Sequence, residues 1–167
     1  TAEDRNRLGL DGRFTFLFSF DFLSTVQRKN PFGMIEAYTT AFGPLDETRL
    51  IIKTINGDKH PDLMGELTWA TLDRTDIELR DGYISATDRL KLVAGVDAYV
   101  SLHRSEGLGL TLAEAMAVGT PVIATGYSGN MDFMNTENSL LVEYDLVSIG
   151  PGSFYPANGK WAAPNLV

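Results

Sequence analysis

The sequence contains no cysteine among its 167 residues, and it contains only two histidines, His60 and His103. Without cysteine there can be no disulfide, so a reducing compartment is permitted and the cytoplasm is the expected location. Two histidines without cysteine form no cluster of metal ligands, so we expect no metal site. His103 ends an apolar run, where we expect a hydrogen-bonded structural histidine rather than a general base.

Long hydrophobic runs are also missing. The apolar stretches are interrupted within about ten residues, which is short of the ~20 residues that span a bilayer. The sequence does not open with a charged segment followed by an apolar one, which is the pattern of a secretory leader. We therefore expect neither a transmembrane segment nor an exported protein.

Positive charge is scarce, since 14 lysines and arginines stand against 22 acidic residues and give a formal net charge of −8. Attraction of a polyanion over a distance needs a positive surface. This balance argues against nucleic acid as a partner. A phosphate-bearing ligand would need cations or amide groups concentrated at its site.

The apolar content, 44% of the residues, is enough for the core of one domain that includes all of residues 1–167. Predicted strands and helices alternate, and this order is typical of an α/β, Rossmann-like parallel sheet with helices on both faces. The strands are predicted at 14–22, 50–55, 76–79, 97–102, 121–124 and 139–142, and the helices at 32–42, 61–71, 85–93 and 110–118. From residue 144 onward, prolines and glycines interrupt any regular pattern, so 144–167 is predicted to be a crossover or tail.

Two loops that follow consecutive strands are rich in glycine, at 104–109 and 126–130. Ligands of doubly wound sheets bind beyond the carboxyl ends of the strands, so these loops are the first candidates for a site. Gly107 and Gly109 lack a Cβ, which lets the backbone approach a ligand closely. The helix that starts at Leu110 directs its free N–H groups at the same space and favours an anion such as a diphosphate. A tight turn without a ligand is the alternative interpretation.

Two carboxylates flank the first of these loops. Glu114 is the only charged residue in 110–118, so we expect it to extend from a largely buried helix and to have a dedicated hydrogen-bond partner. A sugar diol offers two donors to one carboxylate, while nearby backbone amides are the alternative partner. Glu106 precedes the loop and is expected to face the same ligand. Paired carboxylates are also found in glycosidases.

The segment from Glu106 to Glu114 resembles the Glu, seven residues, Glu signature of glycosyltransferase family 4, the group 1 transferases of GT-B fold. The neighbouring sequence AEAMAVGTPVIAT, the sequences RKNP and IEA near residue 30, and Ser-Gly-Asn at 128–130 are similar to the same family. The resemblance covers nearly the whole chain and implies that the fold is one half of a GT-B enzyme.

The resemblance implies a role for each matching residue. Glu114 would bind the ribose hydroxyls of the donor, and Glu106 would bind the transferred sugar. The loop at Gly82, Tyr83 and Ile84 would receive the base. The diphosphate and sugar would contact the backbone of Gly107, Leu108, Gly109, Leu110 and Thr111, and Thr111 would add a hydroxyl.

Members of this family typically place an arginine and, five residues later, a lysine against the diphosphate. Lys29 fits the lysine position, but Ser24 occupies the arginine position. Either Arg28 or Arg104 is expected to replace the missing arginine. A further lysine, Lys53, ends a strand and is ambiguous.

The implied reaction is retaining transfer of a sugar from a nucleoside diphosphate sugar, with no cofactor besides that donor. Complete family members have two α/β domains, and the N-terminal one binds the acceptor. We therefore expect this chain to be a donor-binding domain that lacks its acceptor-binding partner and is inactive alone. The alternative is a non-catalytic nucleotide-sugar or dinucleotide-binding module, although no Gly-x-Gly-x-x-Gly follows the first strand.

Overall fold

Six parallel strands form the main sheet of the computed structural model, which describes residues 2–166 and the side chains of residues 5–166. The strands are β1 (Phe14–Asp21), β2 (Thr48–Ile55), β3 (Ile77–Asp81), β4 (Ala98–Ser101), β5 (Val122–Thr125) and β6 (Leu140–Val142). Their order across the sheet is β3-β2-β1-β4-β5-β6, and every neighbouring pair is parallel.

The helices connect these strands and begin or end where local chemistry requires. They are α1 (Ala2–Arg7), α2 (Val26–Lys29), α3 (Pro31–Ala41), α4 (Pro61–Ala70), α5 (Ala86–Gly95) and α6 (Leu110–Ala117). The hydroxyl of Ser85 accepts a hydrogen bond from the amide of Asp88 and caps α5, as the sequence predicted. Gly119 takes a left-handed φ of 81° after α6, which confirms it as the stop of that helix.

The core lies on both faces of the sheet because side chains alternate along each buried strand. Phe18 and Phe20 of β1 pack with α3 and α4 on one face, whereas Leu17 packs with α5 and α6 on the other. On β2, Ile52 joins the first cluster and Ile51 the second. Helices therefore cover both faces, and the predicted Rossmann-like α/β fold is confirmed.

The segment after residue 144 differs from the prediction. The sequence indicates no regular structure there, but the segment contains an antiparallel hairpin of β7 (Tyr144–Ser148) and β8 (Lys160–Pro164). The prolines and glycines are concentrated in the connection 149–159, so the flanking residues are free to pair. Pro164 is the last residue of β8, where a missing N–H is tolerated.

Among the helices described between residues 2 and 166, none has the length and apolar character needed to cross a membrane.

The strand order creates a crevice at the carboxyl edge of the sheet. From β1 the chain moves outward through β2 to β3, and it then returns to the other side of β1 to form β4. The connections after β1 and β4 therefore run in opposite directions, and such a switch point is where doubly wound sheets bind ligands.

Candidate functional site

A cavity of about 440 Å³ lies at this switch point and is large enough for a small-molecule ligand. The residues that line it come from segments that are far apart in the sequence. Its polar and charged lining consists of Ser19, Asp21, Ser24, Arg28, Lys29, Lys53, Thr54, Tyr83, Arg89 and Thr111. Five residues predicted from the sequence line it, namely Arg28, Lys29, Tyr83, Ile84 and Thr111. A second cavity of about 340 Å³ shares Lys53, Tyr83 and Ile84 with it and adds Gly82.

Glu106 is held by two cations of this cavity. Its Oε2 lies 3.0 Å from Nη1 of Arg28, and its Oε1 accepts a hydrogen bond from Nζ of Lys29. Only 10% of the Glu106 side chain is exposed. Burial alone would raise the pKa of this carboxyl group, but Lys29 and Arg28 outweigh burial and hold the pKa below its ordinary value. Glu106 is therefore an anion at neutral pH.

Arg28, rather than Arg104, supplies the cation beside Lys29. Nη1 of Arg28 also donates to the carbonyl of Ser105 at 2.8 Å. Within the part of the chain that the structure describes, its Nε is buried and has no hydrogen-bond partner. A buried donor without a partner is uncommon in proteins. The guanidinium of Arg104 instead lies over the ring of Trp161, 5.5 Å from its centroid.

The first glycine loop leads into α6 as the sequence predicted. Gly109 has a φ of 83°, in the region that favours glycine, and it occupies the cap position of the helix. Its carbonyl accepts hydrogen bonds from the amides of Leu112 and Ala113. The amides before them have no acceptor inside the helix, so the first turn, where Thr111 lines the cavity, can receive an anion.

The second glycine loop fixes the first one in place. The hydroxyl of Ser128 accepts a hydrogen bond from the amide of Glu106 at 2.6 Å and donates to its carbonyl at 3.0 Å. The amide of Gly129 donates to the same carbonyl at 3.1 Å. A Cβ at Gly129 would lie 2.5 Å from the carbonyl carbon of Gly107 and closer still to its oxygen. The sequence did not predict this contact between the two loops.

His103 is a structural residue, as the sequence predicted. Its ring is fully buried, with Nδ1 3.0 Å from the hydroxyl of Ser101. Nε2 lies 3.2 Å from the carbonyl of Tyr127 and 3.1 Å from Oδ1 of Asn130. Both partners of Nε2 are acceptors, so this nitrogen carries the proton. Burial lowers the pKa of His103, which keeps the ring neutral between β4 and the second glycine loop.

Glu114 differs from the prediction in its environment. It was expected on a largely buried helix, but α6 buries only Leu112 and Ala115, and 33% of the Glu114 side chain is exposed. The apolar composition of α6 was misleading because one side of the helix faces the crevice. In the structure the partner of Glu114 is the side chain of Arg89, which also lines the cavity and is neither the sugar diol nor the backbone amides considered from the sequence.

In the loop after β3, the amide and the carbonyl of Gly82 both form hydrogen bonds within the protein. The amide of Gly82 donates to the carbonyl of Thr54 at 3.1 Å, and Nζ of Lys53 donates to the carbonyl of Gly82. Tyr83 is 74% exposed, and its hydroxyl donates to Oδ1 of Asn56 at 2.9 Å. Tyr83 and Ile84 line the cavity at the switch point, and Gly82 lines the second cavity.

Lys53 and Arg89 are cavity residues that the sequence did not identify clearly. Lys53 is buried, and burial lowers its pKa although Asp81 opposes the shift. Its position directly after the apolar run 50–52 was the available signal. Arg89 lies on an ordinary amphipathic helix, and only the fold brings it to Glu114. Together with Arg28 and Lys29, they are four of the five charged residues that line the cavity, and the fifth is Asp21.

Comparison with known proteins agrees with this geometry. The family model described as "Glycosyl transferases group 1" matches residues 2–145. The chain therefore belongs to the group 1 glycosyltransferase family, and the membership predicted from the glycine loop and its flanking glutamates is confirmed. No curated protein matches the chain significantly.

Solved structures with the same fold include HepE (Alr3699) of Anabaena in complex with UDP and glucose, which is 20% identical with a TM-score of 0.70. The match covers 86% of this chain and 39% of HepE. A glycosyltransferase from Rickettsia africae is 17% identical with a TM-score of 0.70, covering 85% of this chain and 37% of that one. The pneumococcal O-GlcNAc transferase GtfA, in complex with UDP and GlcNAc, is 22% identical with a TM-score of 0.60, covering 80% and 26%. The chain thus spans less than two fifths of these structures.

Proposed function

We propose that the chain is the donor-binding domain of a retaining glycosyltransferase and that the cavity at the switch point binds a nucleoside diphosphate sugar. The observation that carries this proposal is the buried group of Arg28, Lys29 and Glu106 beside the start of α6. Two cations and a helix N-terminus suit a diphosphate, and the carboxylate next to them suits sugar hydroxyls. HepE and GtfA, whose structures contain UDP together with a sugar, support the same ligand class.

The diphosphate is assigned to Arg28, Lys29 and the first turn of α6. Charge-assisted hydrogen bonds are roughly twice as strong as neutral ones, and the cations would also stabilise the negative charge that develops on the leaving diphosphate. The backbone from Gly107 through Leu108 to Leu110 would surround the diphosphate and the sugar.

The remaining parts of the donor are assigned around this centre. Glu106 would bind the transferred sugar, and its ionised carboxylate would stabilise the positive charge that develops at the sugar during transfer. Glu114 would bind the ribose hydroxyls from the next turn of α6. Tyr83 and Ile84 would contact the base from the loop after β3.

The glycosidase alternative is disfavoured by the electrostatics of Glu106. A glycosidase needs one carboxylic acid with a raised pKa to protonate its leaving group. The cations beside Glu106 lower its pKa instead, and they suit a leaving group that is already anionic. A non-catalytic nucleotide-sugar module would share the same cavity and differ only in activity.

We propose that the acceptor is bound by a second domain. Matched structures are more than twice as long as this chain, and a transferase must position both substrates. The 167-residue chain is therefore expected to bind donor without transferring sugar at a measurable rate. Retaining transfer by the chain alone, with labelled donors and a broad acceptor panel, would contradict this part of the proposal.

Donor binding is tested by a thermal-shift and calorimetry screen of UDP, GDP and ADP and their sugars, beginning with UDP. A ligand at a hundredfold excess over its dissociation constant stabilises the protein by about 2.7 kcal/mol. At least one nucleoside diphosphate is expected to give such a shift. If none of these compounds raises the melting temperature or releases binding heat, the donor-site proposal is wrong.

The ribose assignment predicts that Glu114→Gln lowers the affinity for the bound nucleoside diphosphate about fivefold to tenfold. A hydrogen bond to a charged acceptor contributes about 1.5–3 kcal/mol, against about 0.5–1.5 kcal/mol for a neutral one. The loss should largely disappear for the 2′,3′-dideoxy analogue, which has no ribose diol. Glu137→Gln, at an exposed loop position, serves as the matched control. An equal loss for both nucleotides would remove Glu114 from this role.

A further inference from the structure

The hairpin of β7 and β8 lies almost entirely beyond the residues that the family model matches, and the proposed donor contacts do not use it. Its two strands differ in burial. β7 is largely exposed, whereas β8 buries Trp161, Ala162 and Pro164. The inner strand of the hairpin therefore packs against the domain.

The inner strand contacts the loop that carries Glu106. The amide of Ala162 donates to the carbonyl of Arg104 at 2.8 Å, and the amide of Arg104 donates to the carbonyl of Arg28 at 2.8 Å. The guanidinium of Arg104 lies over the ring of Trp161, which is only 7% exposed. Arg104 thus connects β8 with the residue whose side chain binds Glu106.

The start of the hairpin contacts the second glycine loop as well. The rings of Tyr144 and Tyr127 pack with centroids 5.1 Å apart. Tyr127 directly precedes Ser128, whose hydroxyl holds the backbone of Glu106. The hairpin therefore reaches Glu106 along two separate routes, one through each loop.

We propose that this hairpin is a brace for the anion-binding site, and that Trp161 and Arg104 are positioning residues for Arg28 and Glu106. The cation–π contact between Arg104 and Trp161 supports two backbone hydrogen bonds, from the amide of Ala162 to Arg104 and from the amide of Arg104 to Arg28. Without the brace, the loop of residues 102–108 opens more often, and Arg28 and Glu106 lose their fixed relative placement. The expected loss of ligand affinity rests on the proposed function, whereas the expected increase in loop opening does not.

The first measurement is amide hydrogen exchange of the 167-residue chain without ligand. In Trp161→Ala, exchange is expected to rise at least about tenfold in peptides from residues 25–31 and 102–108, while peptides of β2 keep wild-type exchange. Phe154→Ala is the matched control because Phe154 is 91% exposed on the same hairpin. Unchanged exchange in both segments, 25–31 and 102–108, or an equal rise across the whole sheet, would overturn the brace.

The second measurement is calorimetric affinity for UDP and for uridine. Trp161→Ala is expected to lower UDP affinity about tenfold with little effect on uridine, and Trp161→Phe to restore most of the loss because it keeps an aromatic face. Equal losses for both ligands would overturn the positioning role. If Trp161→Ala does not fold, Arg104→Ala removes the same contact from a half-exposed position and is subject to the same outcomes. Local exchange that responds to Trp161→Ala in a chain that binds no nucleotide would support the brace and refute the donor proposal.

Discussion

Gly129→Ala is expected to destabilise the protein by about 1–3 kcal/mol and to abolish detectable binding of nucleoside diphosphate. The added Cβ would lie 2.5 Å from the carbonyl carbon of Gly107, closer still to its oxygen and 3.1 Å from the carbonyl oxygen of Glu106. Carbon atoms pack at about 3.5–4.0 Å, so the two loops must separate by roughly 1 Å. Both neighbours are backbone atoms, which cannot rotate away as the end of a side chain can.

The separation would also weaken the hydrogen bonds that hold Glu106 to Ser128 and Gly129. Urea unfolding measures the stability change, and calorimetry measures the affinity for UDP. Gly107→Ala is the matched control, because within the described residues its Cβ would meet nothing within 4 Å. Gly107→Ala should keep the wild-type free energy of unfolding. It is a control for stability only, because its methyl group is expected to weaken ligand binding at the loop. Equal stability of both variants would contradict the contact between the loops.

Much of the fold could be predicted because local signals and the hydrophobic pattern agree. Ser85 and Gly119 mark helix ends by chemistry that acts within a few residues. The hairpin could not be predicted in the same way, since β7 and β8 are stabilised by pairing across an eleven-residue connection rich in proline and glycine. Such a connection resembles a tail until the partner strand is known.

The site residues show the same difference between local signals and contacts made by the fold. Gly109 and Thr111 were identified because they belong to one continuous motif at a helix start. Arg89 became a cavity residue only through its contact with Glu114 from a different helix. The choice between Arg28 and Arg104 depended on Trp161, which attracts one of the two guanidinium groups from 57 residues away in the sequence. Contacts between distant residues therefore determine which of the two arginines lines the cavity, and the sequence alone could not show this.

Replacement of both site cations, Arg28→Gln with Lys29→Gln, is expected to lower the affinity for UDP at least about 100-fold and to leave the affinity for uridine nearly unchanged. Each hydrogen bond to a charged group contributes about 1.5–3 kcal/mol, and 1.4 kcal/mol corresponds to a factor of ten. The base and ribose do not depend on these cations in the proposed site. Calorimetry with both ligands measures the difference, and Lys59→Gln is the control, because Lys59 is exposed and pairs with Asp58. Parallel losses for UDP and uridine would show that the damage is general.

The same double variant has a second expected effect, on the pH dependence of folding stability. In the wild-type protein the pKa of Glu106 is below its ordinary value of 4.5, so its contribution is complete above the unfolded-state pKa and is lost as the pH falls through the folded-state pKa. Without the two cations, burial dominates and raises the pKa of Glu106 in the folded state. The ionised carboxylate then opposes folding at neutral pH, and protonation on acidification relieves that penalty. The stability difference between wild type and variant should therefore shrink as the pH is lowered from 7 towards 4, as measured by urea unfolding at each pH. A difference that stays constant over this range would mean that Glu106 is not held as an anion by Arg28 and Lys29.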